Sequence, residues 1–172
     1  MFKIKPDRFN RAFEYLRVSV TDRCNFRCKY CMPKENFGSD YKFIARSEIL
    51  TFEEIIRLVR ILGETGLKKI RLTGGEPLLR RNIERLIEGI NLQSQVNEIS
   101  MTTNGSLLDK DSVSKLKDSG LNKITISLDS TSKKTLETLS DSNINYSKIM
   151  EAIDLVIEHF GFVKLNMVVI KG

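Results

Sequence analysis

The chain alternates short apolar strands with amphipathic helices, and this repeat limits the folds that are open to it. Strands are predicted at residues 16–20, 69–73, 98–102, 123–129 and 163–170, and helices at about 52–65, 82–92, 110–119, 132–139 and 147–160. Strands that are separated by helices form right-handed βαβ units with parallel pairing. The pattern therefore predicts an α/β fold of about five βα units, with a parallel sheet or barrel, in one domain of 172 residues.

Within each predicted strand polar and apolar residues alternate, so the two faces of the sheet should differ. If the apolar set meets the helices, the polar set shares one concave face. Arg17, Arg71, Thr102, Ser127 and Lys164 would then line a common cavity. Three cations on one inner face are costly unless they meet an anion, which favours a phosphorylated or carboxylated ligand. The alternative is a half-exposed sheet whose polar face meets only solvent.

All three cysteines lie in one segment of eight residues, Cys24-Asn-Phe-Arg-Cys28-Lys-Tyr-Cys31. This segment follows the first predicted strand. A loop of this spacing can place three thiolates around one compact object. Iron–sulfur clusters are normally held by four thiolates, and metal sites with one open position are those that bind and activate a ligand. We interpret the loop as the holder of one [4Fe-4S] cluster, with one iron left open.

Other interpretations of the cysteines fit less well. Disulfide pairing within the chain leaves one thiol over, and a redox pair of Cys28 and Cys31 leaves Cys24 without a role. A three-cysteine zinc site needs a fourth ligand, and the single histidine, His159, lies far along the chain in a predicted helix. We assign His159 no role.

Composition and charge limit the classes of binding partner and the cellular location that we expect. The net charge is +6, but basic residues are not interleaved with aromatic ones and tryptophan is absent, so no nucleic-acid partner is expected. No apolar run approaches the ~20 residues that span a membrane, and residues 1–16 lack the apolar stretch of a secretory signal. A cytoplasmic, reducing location without a membrane partner is expected, and it suits thiolate ligands.

A second motif, Thr73-Gly74-Gly75-Glu76-Pro77, follows the second predicted strand. Paired glycines allow close approach to the backbone. Taken alone, the motif is only a turn that enters a helix. Because it lies one βα unit after the cysteine loop, at the same end of a parallel sheet, we expect the two motifs to form one site.

The segments LRVSVTDRCNFRCKYCMP and RLTGGEPLLR resemble the radical S-adenosylmethionine (SAM) superfamily, and most closely its GTP 3′,8-cyclases of molybdenum cofactor biosynthesis. The likeness extends through MTTNG, ISLD and VKLNMVVIKG. It implies a partial radical SAM (TIM-like) barrel and a lyase that binds SAM at the open iron. Reductive cleavage of SAM would give a 5′-deoxyadenosyl radical. That radical would act on GTP and lead to (8S)-3′,8-cyclo-7,8-dihydroguanosine 5′-triphosphate.

The resemblance also assigns roles to positions of this sequence. Cys24, Cys28 and Cys31 match the cluster ligands. The positions that match SAM-binding residues are Tyr30, through its backbone, Gly75 and Ser127. The positions that match GTP-binding residues are Arg17, Arg71, Thr102 and Lys164. The implied partners are GTP and an electron-donor protein, and a homodimer is compatible with the family.

Members of this cyclase family are longer than 172 residues. Beyond the matching segment they carry a second three-cysteine cluster and a C-terminal double glycine, which this sequence lacks. The last predicted strand would lie at the sheet edge without a covering helix. We therefore expect residues 1–172 to form a radical SAM core that is incomplete at its C-terminal end. Two alternatives stay open: a short radical SAM activase of another class, and an inactive remnant that binds a cluster and SAM.

Overall fold

Within residues 6–170, five parallel strands form one sheet in chain order, each strand hydrogen-bonded to the next. The computed structural model describes residues 6–170. The strands are β1 (Tyr15–Ser19), β2 (Lys69–Thr73), β3 (Glu98–Thr103), β4 (Lys123–Ser127) and β5 (Lys164–Asn166). β1 and β5 are the edge strands, and within residues 6–170 the sheet does not close into a barrel. The predicted α/β class with parallel strands is confirmed.

Helices connect successive strands, as the sequence pattern predicts. They are α1 (Phe52–Gly63), α2 (Ile83–Asn91), α3 (Lys110–Asp118), α4 (Lys133–Ser140) and α5 (Tyr146–Phe160), with 3-10 turns at Arg46–Glu48 and Pro77–Leu79. A capping box begins α1: the Thr51 hydroxyl accepts from the Glu54 N–H, and the Glu54 carboxylate accepts from the Thr51 N–H. In the part of the chain that the structure describes, no helix has the length and apolar character to cross a membrane.

The hydrophobic core lies between the helices and the apolar face of the sheet. The central strands contribute side chains that are at most 1 % exposed, namely Ile70, Leu72, Ile99, Met101, Ile124 and Ile126. Helical residues such as Val59, Leu86, Ile90, Val113 and Val156 belong to the same cluster. Each large aliphatic side chain buried in this way contributes about 1.5–3 kcal/mol. The central strands are thereby held rigidly, and their carboxyl ends form a fixed base for loops.

The strand register sorts the polar residues of the other face into rows. Toward the carboxyl ends, the rows are first Arg17, Arg71 and Ser100, then Thr102, Thr125 and Lys164, and finally Ser127 and Asn166. Residues paired across parallel strands point to the same face, so the predicted shared polar face is confirmed. Successive rows are two residues apart, which is about 7 Å along a strand.

The fifth strand is much shorter than the predicted 163–170. Beyond Asn166 the apolar residues are exposed, Met167 by 54 % and Val169 by 85 %. β4 ends at Ser127, and its pairing with β5 continues only through the Leu128 N–H, which donates to the Asn166 carbonyl. The Val168 N–H is instead bonded to a side chain. The prediction of a strand that extends to residue 170 was wrong because β4 offers no further backbone partners.

Candidate functional site

The cysteine loop lies over the carboxyl end of the sheet and is joined to the turn that follows β2. The Gly75 N–H donates to the Thr21 carbonyl at 2.8 Å, and the Glu76 N–H donates to the Arg23 carbonyl at 2.8 Å. These bonds extend the parallel pairing of β1 and β2 beyond the strands themselves. The cysteine loop and the Gly-Gly turn are therefore joined by backbone hydrogen bonds. The sequence predicted that they lie together, because each follows a strand at the same end of a parallel sheet.

Gly75 lies directly against the cysteine loop. A Cβ atom at this position would be 2.2 Å from the Arg23 carbonyl oxygen and 2.9 Å from the Cys24 amide nitrogen. Non-bonded carbon and oxygen atoms do not approach that closely, so only glycine fits without moving the loop. The close approach that this glycine permits is made by the chain's own backbone, just before the first cysteine.

A cavity of about 650 Å³ opens at this end of the sheet. The residues predicted for the site that line it are Cys24, Cys28, Tyr30, Cys31, Gly75, Thr102 and Ser127. Arg17, Arg71 and Lys164 do not line it. They lie on the same polar face, the arginines one row below Thr102 and Lys164 in the row of Thr102 on the edge strand. The prediction that all five polar-face residues line one cavity was therefore wrong for Arg17, Arg71 and Lys164, and only Thr102 and Ser127 line it.

The three cysteines face one cavity from one loop, and this donor set fits an iron–sulfur cluster. Among the described residues, no three His, Cys, Asp or Glu side chains converge on a single metal ion. A cluster of four irons does not need such convergence, because each thiolate binds a different iron. Burial raises the pKa of Cys24, and it raises the pKa of Cys28 to about 11, with a smaller contribution from the Asp129 charge. A metal that binds here must displace thiol protons.

A buried carboxylate joins the turns that follow β2 and β3. Glu76 is 1 % exposed and accepts hydrogen bonds from the Thr103 hydroxyl at 2.7 Å and the Asn104 N–H at 2.8 Å. The Leu78 N–H also donates to it, at 3.1 Å. Burial raises the pKa of Glu76, although these bonds oppose that effect. From the sequence, Glu76 was expected only to be part of a turn, although an acidic residue among apolar ones is a signal for a buried carboxylate.

Asp129 connects the cysteine loop to the end of the sheet. The Tyr30 hydroxyl donates to one carboxylate oxygen at 2.6 Å, and the Val168 N–H donates to the other at 3.0 Å. Burial, and then the neighbouring Asp129, raise the pKa of Tyr30 above its usual range, so the phenol stays protonated. The family resemblance assigned a role only to the Tyr30 backbone, and Asp129 was missed although it ends the ISLD segment.

Two side chains predicted to bind GTP keep a buried polar atom without a partner. Within residues 6–170, three buried side-chain atoms form no hydrogen bond: Nε of Arg71, Oγ1 of Thr102 and Oδ1 of Asp22. Leaving such an atom unpaired costs about 1–3 kcal/mol, so most buried polar atoms have partners. Arg71 and Thr102 lie in adjacent rows of the polar face, which therefore has unused hydrogen-bonding capacity next to the cavity.

Comparison with known sequences gives relatives along nearly the whole chain. Residues 18–172 match the sequence profile of the radical SAM superfamily. A GTP 3′,8-cyclase from Staphylococcus haemolyticus is 48 % identical over 166 residues, which are 96 % of this chain and 48 % of that protein. A GTP 3′,8-cyclase from Staphylococcus epidermidis is 48 % identical over 173 residues, covering 100 % of this chain and 50 % of that protein. The chain thus spans about half the length of these relatives.

Solved structures of larger proteins contain the same fold. Streptococcus suis SuiB bound to S-adenosylmethionine has a TM-score of 0.73 at 19 % identity, covering 92 % of this chain and 34 % of that one. The protein anSMEcpe with bound AdoMet has a TM-score of 0.70 at 21 % identity, covering 92 % and 44 %. HydG, a maturase of the [FeFe]-hydrogenase, has a TM-score of 0.69 at 21 % identity, covering 90 % and 34 %.

Proposed function

The chain belongs to the radical SAM superfamily, and we propose that it carries the cluster-binding and SAM-binding sites of a GTP 3′,8-cyclase. The relatives named GTP 3′,8-cyclase, at 48 % identity along nearly the whole chain, support this specific activity. In this proposal the substrate is GTP, the product is its 3′,8-cyclised triphosphate for molybdenum cofactor biosynthesis, and an electron-donor protein supplies reducing equivalents.

In the proposed site, Cys24, Cys28 and Cys31 hold one [4Fe-4S] cluster against the carboxyl end of the sheet. When bound, the cluster supplies the electron that cleaves the sulfonium bond of SAM. The chain's own residues position that ligand. The Gly75 N–H is already bonded to Thr21, so the Gly75 carbonyl is the group left to accept from the amino group of SAM.

Ser127 and Tyr30 complete the SAM-binding group. Ser127 ends β4 and lines the cavity from the row nearest the loops, and its hydroxyl can both donate and accept. Tyr30 lines the same cavity, and its hydroxyl is held by Asp129. This bond anchors the Tyr30 side chain at the cavity, and in this proposal the backbone of Tyr30 contacts the adenine of SAM.

The unpaired Nε of Arg71 and Oγ1 of Thr102 are the observation that carries the GTP assignment. Arg17 lies beside Arg71 in one row, and Lys164 shares the next row with Thr102. Guanidinium and ammonium groups make charge-assisted hydrogen bonds to phosphate oxygens. A triphosphate on this part of the polar face would offset the positive charge, and the unpaired atoms would reach it when the Arg71 and Thr102 side chains turn toward it.

Nucleotide binding by the 172-residue chain tests this assignment. GTP should bind about tenfold or more tightly than guanosine, because one charge-assisted bond is worth about 1.5–3 kcal/mol. Arg71→Ala should weaken GTP binding by about the same factor. Arg57→Ala, at an exposed arginine of α1, is the matched control and should leave binding unchanged. Equal binding of GTP and guanosine, or no effect of Arg71→Ala, would contradict the assignment.

A further inference from the structure

The sulfur of Cys24 has an amide neighbour that none of the roles above includes. Asn104 lies in the turn after β3 and is 9 % exposed. Its Nδ2 atom is 4.0 Å from the Cys24 sulfur and 2.9 Å from Oδ1 of Asn25. The amide of Asn104 therefore reaches across from the third strand to two consecutive residues of the cysteine loop.

The orientation of this amide is fixed by its oxygen. Oδ1 of Asn104 accepts from the Ser106 N–H at 3.0 Å and from the Ser106 hydroxyl at 2.7 Å. An amide oxygen accepts and an amide nitrogen donates, so the end that faces two donors is the oxygen. The NH₂ group is left facing the loop, where its two hydrogens have two acceptors: Asn25 Oδ1 and the sulfur of Cys24.

Hydrogen bonds from neighbouring residues also fix the position of the Asn104 backbone relative to the cysteine loop. The Glu76 carboxylate accepts the Asn104 N–H at 2.8 Å, and the Asn25 amide donates to the Ser106 hydroxyl at 2.8 Å. The bonds from Asn25 to Ser106, from Ser106 to Asn104 and from Asn104 to Asn25 close a ring of hydrogen bonds beside Cys24. A donor held on several sides loses little conformational entropy when it bonds to the sulfur.

We propose that Asn104 is a positioning residue that donates a hydrogen bond to the Cys24 thiolate and raises the reduction potential of the cluster bound there. The inference rests on the proposed function, because it requires a cluster at the cysteine loop. Reduction adds negative charge to the cluster and its sulfurs, so an N–H donor stabilises the reduced form more than the oxidised form. The Phe26 N–H is 3.4 Å from the same sulfur, so Cys24 receives two donors.

Redox titration of the reconstituted full chain without SAM tests the inference. Asn104→Asp keeps the size of the side chain and removes the donor, so it should make the midpoint potential more negative. We expect the ratio of reduced to oxidised cluster at a fixed potential to fall by about tenfold, which is about 59 mV for one electron. Asn104→Ala removes the donor without adding charge and should shift the potential in the same direction. Asn97→Asp adds the same charge at the exposed, opposite end of β3 and should not shift it.

Iron content separates this inference from the proposed function. An unmodified chain that takes up no iron overturns both. Equal potentials in the iron-loaded unmodified chain and both Asn104 variants overturn only the role of Asn104. A shift that appears only after SAM is added also overturns that role, since it would show that Asn104 contacts SAM instead.

If the Asn104 variants lose their iron, a milder substitution tests the same inference. Ser106→Ala keeps the Asn104 amide and removes one of the two groups that orient it. This variant should hold iron and show a smaller negative shift of potential. An unchanged potential in Ser106→Ala would then overturn the inference.

Discussion

The two sides of the cavity are held in different ways. On the cysteine side (residues 20–32, 73–78 and 102–106), buried backbone and carboxylate bonds connect the turns after β1, β2 and β3. On the β5 side (residues 127–129 and 164–170), the edge strand has three residues and its apolar side chains are exposed. The geometry of the cysteine side is thus held by the chain's own buried hydrogen bonds, whereas the β5 side contributes to the cavity from an exposed edge.

The largest contrast is expected between two neighbours in the β4–β5 register. Ile126 and Leu165 are paired across the strands, but Ile126 is 0 % exposed and Leu165 is 47 % exposed. Ile126→Ala should lower the free energy of unfolding by about 3–4 kcal/mol, because it leaves a cavity in the core. Leu165→Ala should lower it by less than about 1 kcal/mol. Urea unfolding of both variants makes the comparison, and equal losses would show that the β5 side is as firmly packed as the core.

The next effect concerns the contact between the Gly-Gly turn and the cysteine loop. Gly75→Ala places a methyl group 2.2 Å from the Arg23 carbonyl oxygen, so the loop must move. The cost should be about 2–3 kcal/mol of unfolding free energy, together with loss of iron from the reconstituted protein. Gly38→Ala is the control, since its Cβ would meet only the Lys34 carbonyl oxygen, at 3.2 Å. Full iron content in Gly75→Ala would show that the contact does not position Cys24.

The fold and the polar face could be predicted because they depend on local periodicity. Alternation within each strand specifies which residues face the helices, and parallel pairing then brings the polar ones together. The bonds that shape the site could not be predicted in the same way. Glu76 accepts a hydrogen bond from Asn104 only because the turns of two separate βα units end at the same level above the sheet. Such pairing depends on strand register and loop conformation, which a single sequence does not specify.

The extent of the fifth strand was mispredicted for a related reason. The run 163–170 has the composition of a strand, but a strand also needs a neighbour of matching length. β4 stops at Ser127, and Asp129 then takes the Val168 N–H with its side chain. Asp129 therefore has two contacts: its carboxylate accepts from Tyr30 of the cysteine loop, and it replaces a backbone partner where the regular pairing of β5 has ended.

The smallest effect is expected where Asp129 links the two sides of the cavity. Asp129→Ala removes the bonds to both Tyr30 and Val168 and should cost about 1–2 kcal/mol of unfolding free energy. Tyr30→Phe removes only one of them and should cost about 0.5–1 kcal/mol. Amide hydrogen exchange of Val168 distinguishes the two variants, because it should accelerate only in Asp129→Ala. Unchanged exchange at Val168 in Asp129→Ala would show that this bond does not hold the β5 side.

Anaerobic reconstitution followed by iron and sulfide analysis tests the central claim most directly. The unmodified chain should bind about four irons and four sulfides, in keeping with one [4Fe-4S] cluster. Cys28→Ala should lose them, whereas Ser127→Ala, which alters the proposed SAM-binding group alone, should keep them. Binding of zinc without iron, or full iron content in Cys28→Ala, would contradict the account.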